Sequence, residues 1–200
     1  MDHVRRALIT AALALPAFSL PSASRGARAT EGLICTLTRP SFGMPHEGEP
    51  LAPAPEARLA VGWIMDTVGL TPNFAVGKAD FDRKVGAYAV IADNQRRIVY
   101  DADFFSWVEG SPNWRETGIM AHEVGHHLGG HTRTDNATQH AQELEADRFA
   151  GFVLAKLGAT LPQATRWAQD LSEEGAESHP PRRQRLIAIS DGWRHGKSSN

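Results

Sequence analysis

The sequence predicts an α+β fold, mainly helical, with one small antiparallel β-hairpin beside a central helix. Three observations carry that expectation. Apolar residues recur at helical spacing through much of the chain after residue 55, one stretch is dense in β-formers around a turn signal, and a histidine-rich motif interrupts an otherwise apolar helix. A chain of 200 residues with 42% hydrophobic and 22% charged residues suits one globular domain with a single core.

The N-terminus reads as an export signal over residues 1–29. Arg5 and Arg6 precede an apolar run over 7–20, and Ala27-Arg28-Ala29 offers a cleavage site, with cleavage after Ser24 an alternative. The run is shorter than the roughly 20 residues that a membrane span requires, and Pro16 interrupts it. An uncleaved anchor is the competing reading. Periplasmic or secreted localisation follows, with no transmembrane helix in the mature chain. The formal charge of the whole chain is −2. Cleavage at 29 removes Arg5, Arg6, Arg25, Arg28 and Asp2, which leaves the mature chain at roughly −5. Such a balance gives no reason to expect nucleic acid as a partner. Cys35 is the single cysteine, so no disulfide closes within one chain, and Ile34 is too large for the position before a lipidated cysteine. A thiolate from Cys35 could cap a metal and hold an enzyme latent; the plainer reading is an unpaired thiol.

Residues 30–55 carry Pro40, Pro45, Pro50, Pro53 and Pro55 among small and polar residues, which predicts an extended arm. His46 in it reads as solvated. The domain proper is expected over 56–194, with a disordered tail at 195–200. Its first element is an amphipathic helix over 56–70, with Val61, Ile64, Met65 and Val68 on the core face and Gly69 as the stop. Trp63 reads as core or edge packing. Residues 85–92 and 95–100 flank Asp93-Asn94 and predict the hairpin. Its second strand, 96–100, is a candidate for binding an extended peptide as an added strand, against the alternative of a plain structural hairpin.

The central helix holds His122-Glu123-x-x-His126. Residues four apart share a helix face, so His122 and His126 can offer two imidazoles to one metal ion, with zinc the expected metal. Glu123 is placed to take a proton from water without being a ligand. Two histidines and a glutamate could also form a solvated face, but the flanks are apolar: Ile119, Met120, Val124 and Leu128. Ser111-Pro112 supplies a helix start and Gly129-Gly130 a stop. A further helix is expected over 137–157, closed by Gly158. Folded back by a tight turn, it can return Glu143 to the histidine pair as third ligand, while Asp147, one turn on, fixes a ligand imidazole. Glu145 points elsewhere and reads as solvated. A third histidine ten positions after the first is absent, since position 132 is threonine; His131 ranks below Glu143, and His127 and His140 read as packing or surface residues. Thr160 to Gln163 has capping-box form and starts a helix to about 174, and another helix starts near Pro180. His179, held before two prolines at that entrance, is a candidate to reach into a site from outside.

Three ordered motifs, A-H-E-V-G-H with His131 following, E-L-E-A-D-R, and S-H-P-P-x-x-x-R, lie within a likeness that covers roughly 85–192. In them the chain resembles the gluzincin metallopeptidase family of HtpX, the CAAX prenyl proteases and the BepA-type periplasmic proteases. The resemblance implies a zincin-like domain that hydrolyses peptide bonds of protein substrates, with one zinc on His122, His126 and Glu143, and Glu123 as general base and acid. It implies that Asp147 orients a ligand histidine and that His179 and Arg185 lie near the metal. There they would stabilise an oxyanion or, for His179, cap the metal at rest. The spanning helices of the membrane-embedded members are missing here, which brings the soluble exported proteases closer. A zinc-holding protein that binds clients in the cell envelope without cutting them is the alternative.

Overall fold

The computed structural model describes residues 51–79, 86–92, 94–102, 113–131, 139–176 and 178–199. The export signal, Cys35, most of the arm, Asp93, Ser111-Pro112 and the start of the connection after His131 lie outside those residues.

Helix α1, Pro55–Thr67, begins with proline in its first turn, where no helical N–H is lost, and ends at Gly69 with φ +67. Ala57, Val61, Ile64 and Met65 form its buried face. Of the two positions expected for Trp63, core or edge, the core is excluded: it is 39% exposed, on the face of exposed Leu59. The predicted hairpin is present as β2, Ala87–Ala92, and β3, Gln95–Asp101, joined through Asn94 with φ +59. A third strand, β1, Ala75–Ala79, pairs in parallel with β3, so the sheet is mixed, in the order β1-β3-β2. The sequence masks β1 because its five residues, Ala-Val-Gly-Lys-Ala, hold one β-branched side chain and no alternation.

This order corrects the expectation that 96–100 is the strand available to a peptide. Strand β3 is central and engaged on both sides; β2 lies at the margin, and among the described residues no strand pairs with its side away from β3. Central position explains why Ile98, Val99 and Tyr100 are all buried. The Tyr100 hydroxyl accepts the Ala54 amide at 2.8 Å, tying the start of α1 to the sheet.

Helix α2, Trp114–Leu128, passes under β2 and is buried on nearly every face from Glu116 to His127. Helix α3, Gln139–Lys156, packs against α2 on one side and against α5, Arg182–Ser198, on the other. Gly158 (φ +99) closes α3, with Gly158 N–H donating to the Ala155 carbonyl and Ala159 N–H to that of Leu154. Thr160 and Gln163 form the expected capping box, but α4 is short, Leu161–Thr165, followed by one 3-10 turn, Arg166–Ala168. Helix α5 runs through positions 195–198, where a tail was expected.

Glycines set how closely these helices approach. A Cβ on Gly151 would strike the Ile189 carbonyl, and one on Gly192 the Arg148 carbonyl, so α3 and α5 meet backbone to backbone. Between α2 and α3, a Cβ on Gly125 would lie 3.1 Å from Ala146 Cα. The glycine within A-H-E-V-G-H thus lets α3 come near enough to deliver its carboxylates. Among the described residues no helix is long and apolar enough to cross a membrane.

Candidate metal centre

Two turns of α2 and one turn of α3 build the site. His122 and His126 project from the same face of α2, and their Nε2 atoms are 3.0 Å apart. Glu143 meets both, with Oε2 3.4 Å from His122 Nε2 and Oε1 3.3 Å from His126 Nε2. All three side chains are buried, and their ligand atoms lie within 4.8 Å of one another, which makes a group able to hold a metal ion.

Asp147, one turn after Glu143, stands on the far side of the first imidazole: Oδ1 lies 3.0 Å from His122 Nδ1. Arg185 of α5 clamps that carboxylate, Nε to Oδ2 and Nη2 to Oδ1 both at 2.8 Å, and Nη2 lies 3.3 Å from Glu143 Oε2. The Arg185 guanidinium sits over the Trp167 ring at 5.6 Å, and Trp167 also faces His122. Nothing in its sequence context marks Trp167 as part of the site. The signal was Gly118, since a Cβ there would collide with the indole.

His179 lies at the mouth. Its Nε2 is 3.8 Å from Glu143 Oε2, and its Nδ1 is 2.7 Å from Ser178 Oγ. The loop that carries it is pinned to α3, where His140 Nε2 lies 3.0 Å from the Ala176 carbonyl. His127 is a packing residue: it stacks on Phe74, donates from Nε2 to the Arg97 carbonyl at 3.0 Å, and its own carbonyl accepts from Arg96. Glu145 is solvated, as expected, and has one contact besides. It is mostly exposed, yet its Oε2 lies 3.3 Å from His131 Nε2.

The electrostatics of the centre couple its buried carboxyl groups to the two imidazoles. Three carboxylates, Glu123, Glu143 and Asp147, are buried here against one buried guanidinium, Arg185. Burial opposes protonation of His122, but hydrogen bonds to Asp147 and Glu143 outweigh it and push its pKa up to about 9. Burial raises Glu123 to about 8, against the lowering effect of His122. Burial also lowers His126 to about 4, while Glu143 is held well below the carboxylate range because its partners outweigh its own desolvation. The Glu123 oxygens lack a well-formed side-chain hydrogen bond among the described residues, and the Ala89 amide faces that carboxyl. A buried, under-bonded carboxyl beside two imidazoles and a second carboxylate fits a divalent cation. A positive charge at the triad would also draw Glu123 back toward its ionised form.

No family model, no curated protein and no solved structure matches the chain.

Proposed function

We propose that this protein is an exported zinc-dependent endopeptidase acting on protein or peptide substrates. The observation that carries the proposal is the convergence of His122, His126 and Glu143 beside a buried, under-bonded Glu123. Two imidazoles and one carboxylate are a donor set that suits zinc and leaves a position for water or substrate. A tetrahedron with arms of about 2.0–2.1 Å has edges of roughly 3.3–3.4 Å. The donor separations of 3.0, 3.3 and 3.4 Å are close to that.

When bound, zinc would supply Lewis acidity to water and to a substrate carbonyl. The remaining roles fall to the chain. Glu123, adjacent to His122 and without a well-formed side-chain hydrogen bond among the described residues, accepts the proton of the attacking water and delivers it to the departing amine. Asp147 holds His122 Nδ1 and leaves Nε2 to the triad, and Arg185 keeps Asp147 ionised and reaches Glu143 as well. His179 is placed to donate a hydrogen bond to a developing oxyanion. Strand β2 passes above α2, and the Ala89 amide faces Glu123, so an extended peptide added along the outer margin of β2 would run past the site.

Glu123→Gln is the decisive variant. It should bind one zinc per chain yet lose at least about 1,000-fold in cleavage of unfolded casein; cleavage at the wild-type rate would end the proposal. A second reading, a zinc-holding client-binding protein that does not cut, draws on His179 leaning over Glu143. Full zinc occupancy with intact casein for both wild type and His179→Ala would favour it.

A further inference from the structure

We propose that His131, backed by Glu145, is a positioning residue that fixes the orientation and tautomer of His126. The inference rests on the triad being a metal site and not on proteolysis. His126 presents Nε2 to His122 and Glu143, and its other nitrogen faces away from them. There Nδ1 meets His131 Nδ1 at 3.1 Å, with the two rings edge to face at 5.2 Å between centroids. His131 is therefore on the wrong side of the His126 ring to share its metal ion. It is, however, where an outer partner of a ligand imidazole must be.

The proton positions follow from the geometry. An imidazole that gives Nε2 to a metal carries its proton on Nδ1, so His126 donates and His131 Nδ1 must accept. A neutral His131 then carries its own proton on Nε2, and that atom faces Glu145 Oε2 at 3.3 Å. The chain of donors runs from His126 through His131 to Glu145 without conflict. His122 has a support of its own, since Asp147 accepts both from its Nδ1 and from Arg185. His131 is 4% exposed, whereas the Glu145 side chain is 67% exposed, which makes His131 the stronger member.

The local backbone is shaped for this contact. Gly129 has φ −71, a conformation open to any residue, yet a Cβ there would lie 2.7 Å from His131 Cε1. Glycine at 129 is thus explained by the imidazole it accommodates. Gly130, at φ +73, turns the chain so that residue 131 folds back over the end of α2.

The test measures zinc dissociation constants by chelator competition for wild type, His131→Phe, His131→Asn, Gly129→Ala and Glu145→Gln. Circular dichroism melts serve as the fold control. His131→Phe keeps the ring volume and removes the acceptor, and should weaken zinc binding 10- to 100-fold. His131→Asn returns an acceptor near the Nδ1 position and should recover most of that loss. Gly129→Ala should resemble His131→Phe, and Glu145→Gln should lose only a few-fold. In the zinc-loaded wild type, nitrogen-15 imidazole spectra should show His131 protonated at Nε2. Equal zinc affinity in wild type and His131→Phe, or a proton on His131 Nδ1, overturns the inference and leaves the metal site standing. Failure of the wild type to bind zinc overturns both.

Discussion

At the scale of single residues, the centre is governed by which buried charges have a partner. Arg185→Met would leave Asp147 and Glu143 facing each other without their guanidinium, and should cost about 3–5 kcal/mol, read as a lower urea midpoint at unchanged slope. Arg185→Lys should not restore it, because an ammonium cannot span both Asp147 oxygens as the 2.8 Å pair does. His127 gives a separate, pH-dependent prediction. Its folded pKa is lowered by burial to about 4, below the ordinary value of 6.5. Its contribution is thus complete above pH 6.5 and declines as the pH falls toward 4, by about 1.4 kcal/mol per unit. Urea titrations of metal-free protein from pH 7.5 to 4.5 should show that acid slope reduced in His127→Gln. Parallel slopes for the two proteins would count against it. The histidine pair, Glu143 and Asp147 were legible in the sequence because helical spacing fixes them relative to one another. The link from His131 to Glu145 was not, because it joins the end of one helix to the exposed flank of another across the undescribed connection.

At the scale of elements, two contacts decide whether the site forms. The backbone approach of α3 and α5 around Gly151 and Gly192 sets the register in which Arg185 meets Asp147. Gly192→Ala should therefore force the helices apart and cost at least about 2 kcal/mol, with weaker zinc binding as the accompanying sign of lost register. A large fall in melting temperature with zinc affinity intact would separate packing from register and refute the link. The sheet supplies the other test. Peptides N-methylated at alternate backbone positions should lose ten-fold or more in kcat/KM if they add as a strand to β2, and side-chain changes at those positions should matter less. Tolerance of every N-methyl group would exclude β2 as the docking strand. The hairpin was readable from its β-formers and turn, but its place in the sheet was not. The short parallel partner β1 carries almost no periodic signal, and it is β1 that buries β3 in the middle.

For the molecule as a whole, the balance of buried charge predicts that metal and stability are linked. Zinc at 100 times its dissociation constant should add about 2.7 kcal/mol to unfolding, and a chelator should remove it. A midpoint indifferent to both would mean that the buried carboxylates need no cation. The mainly helical class and the order of the helices were visible in the apolar spacing. The length of α4 and the helical end of the chain were not, since propensity marks where a helix starts better than how far tertiary packing carries it. The clamp on Asp147 has one more consequence, which concerns time. Arg185 follows every other residue of the candidate centre along the chain, so a nascent chain that has not yet reached residue 185 holds the Asp147 carboxylate without its counter-ion.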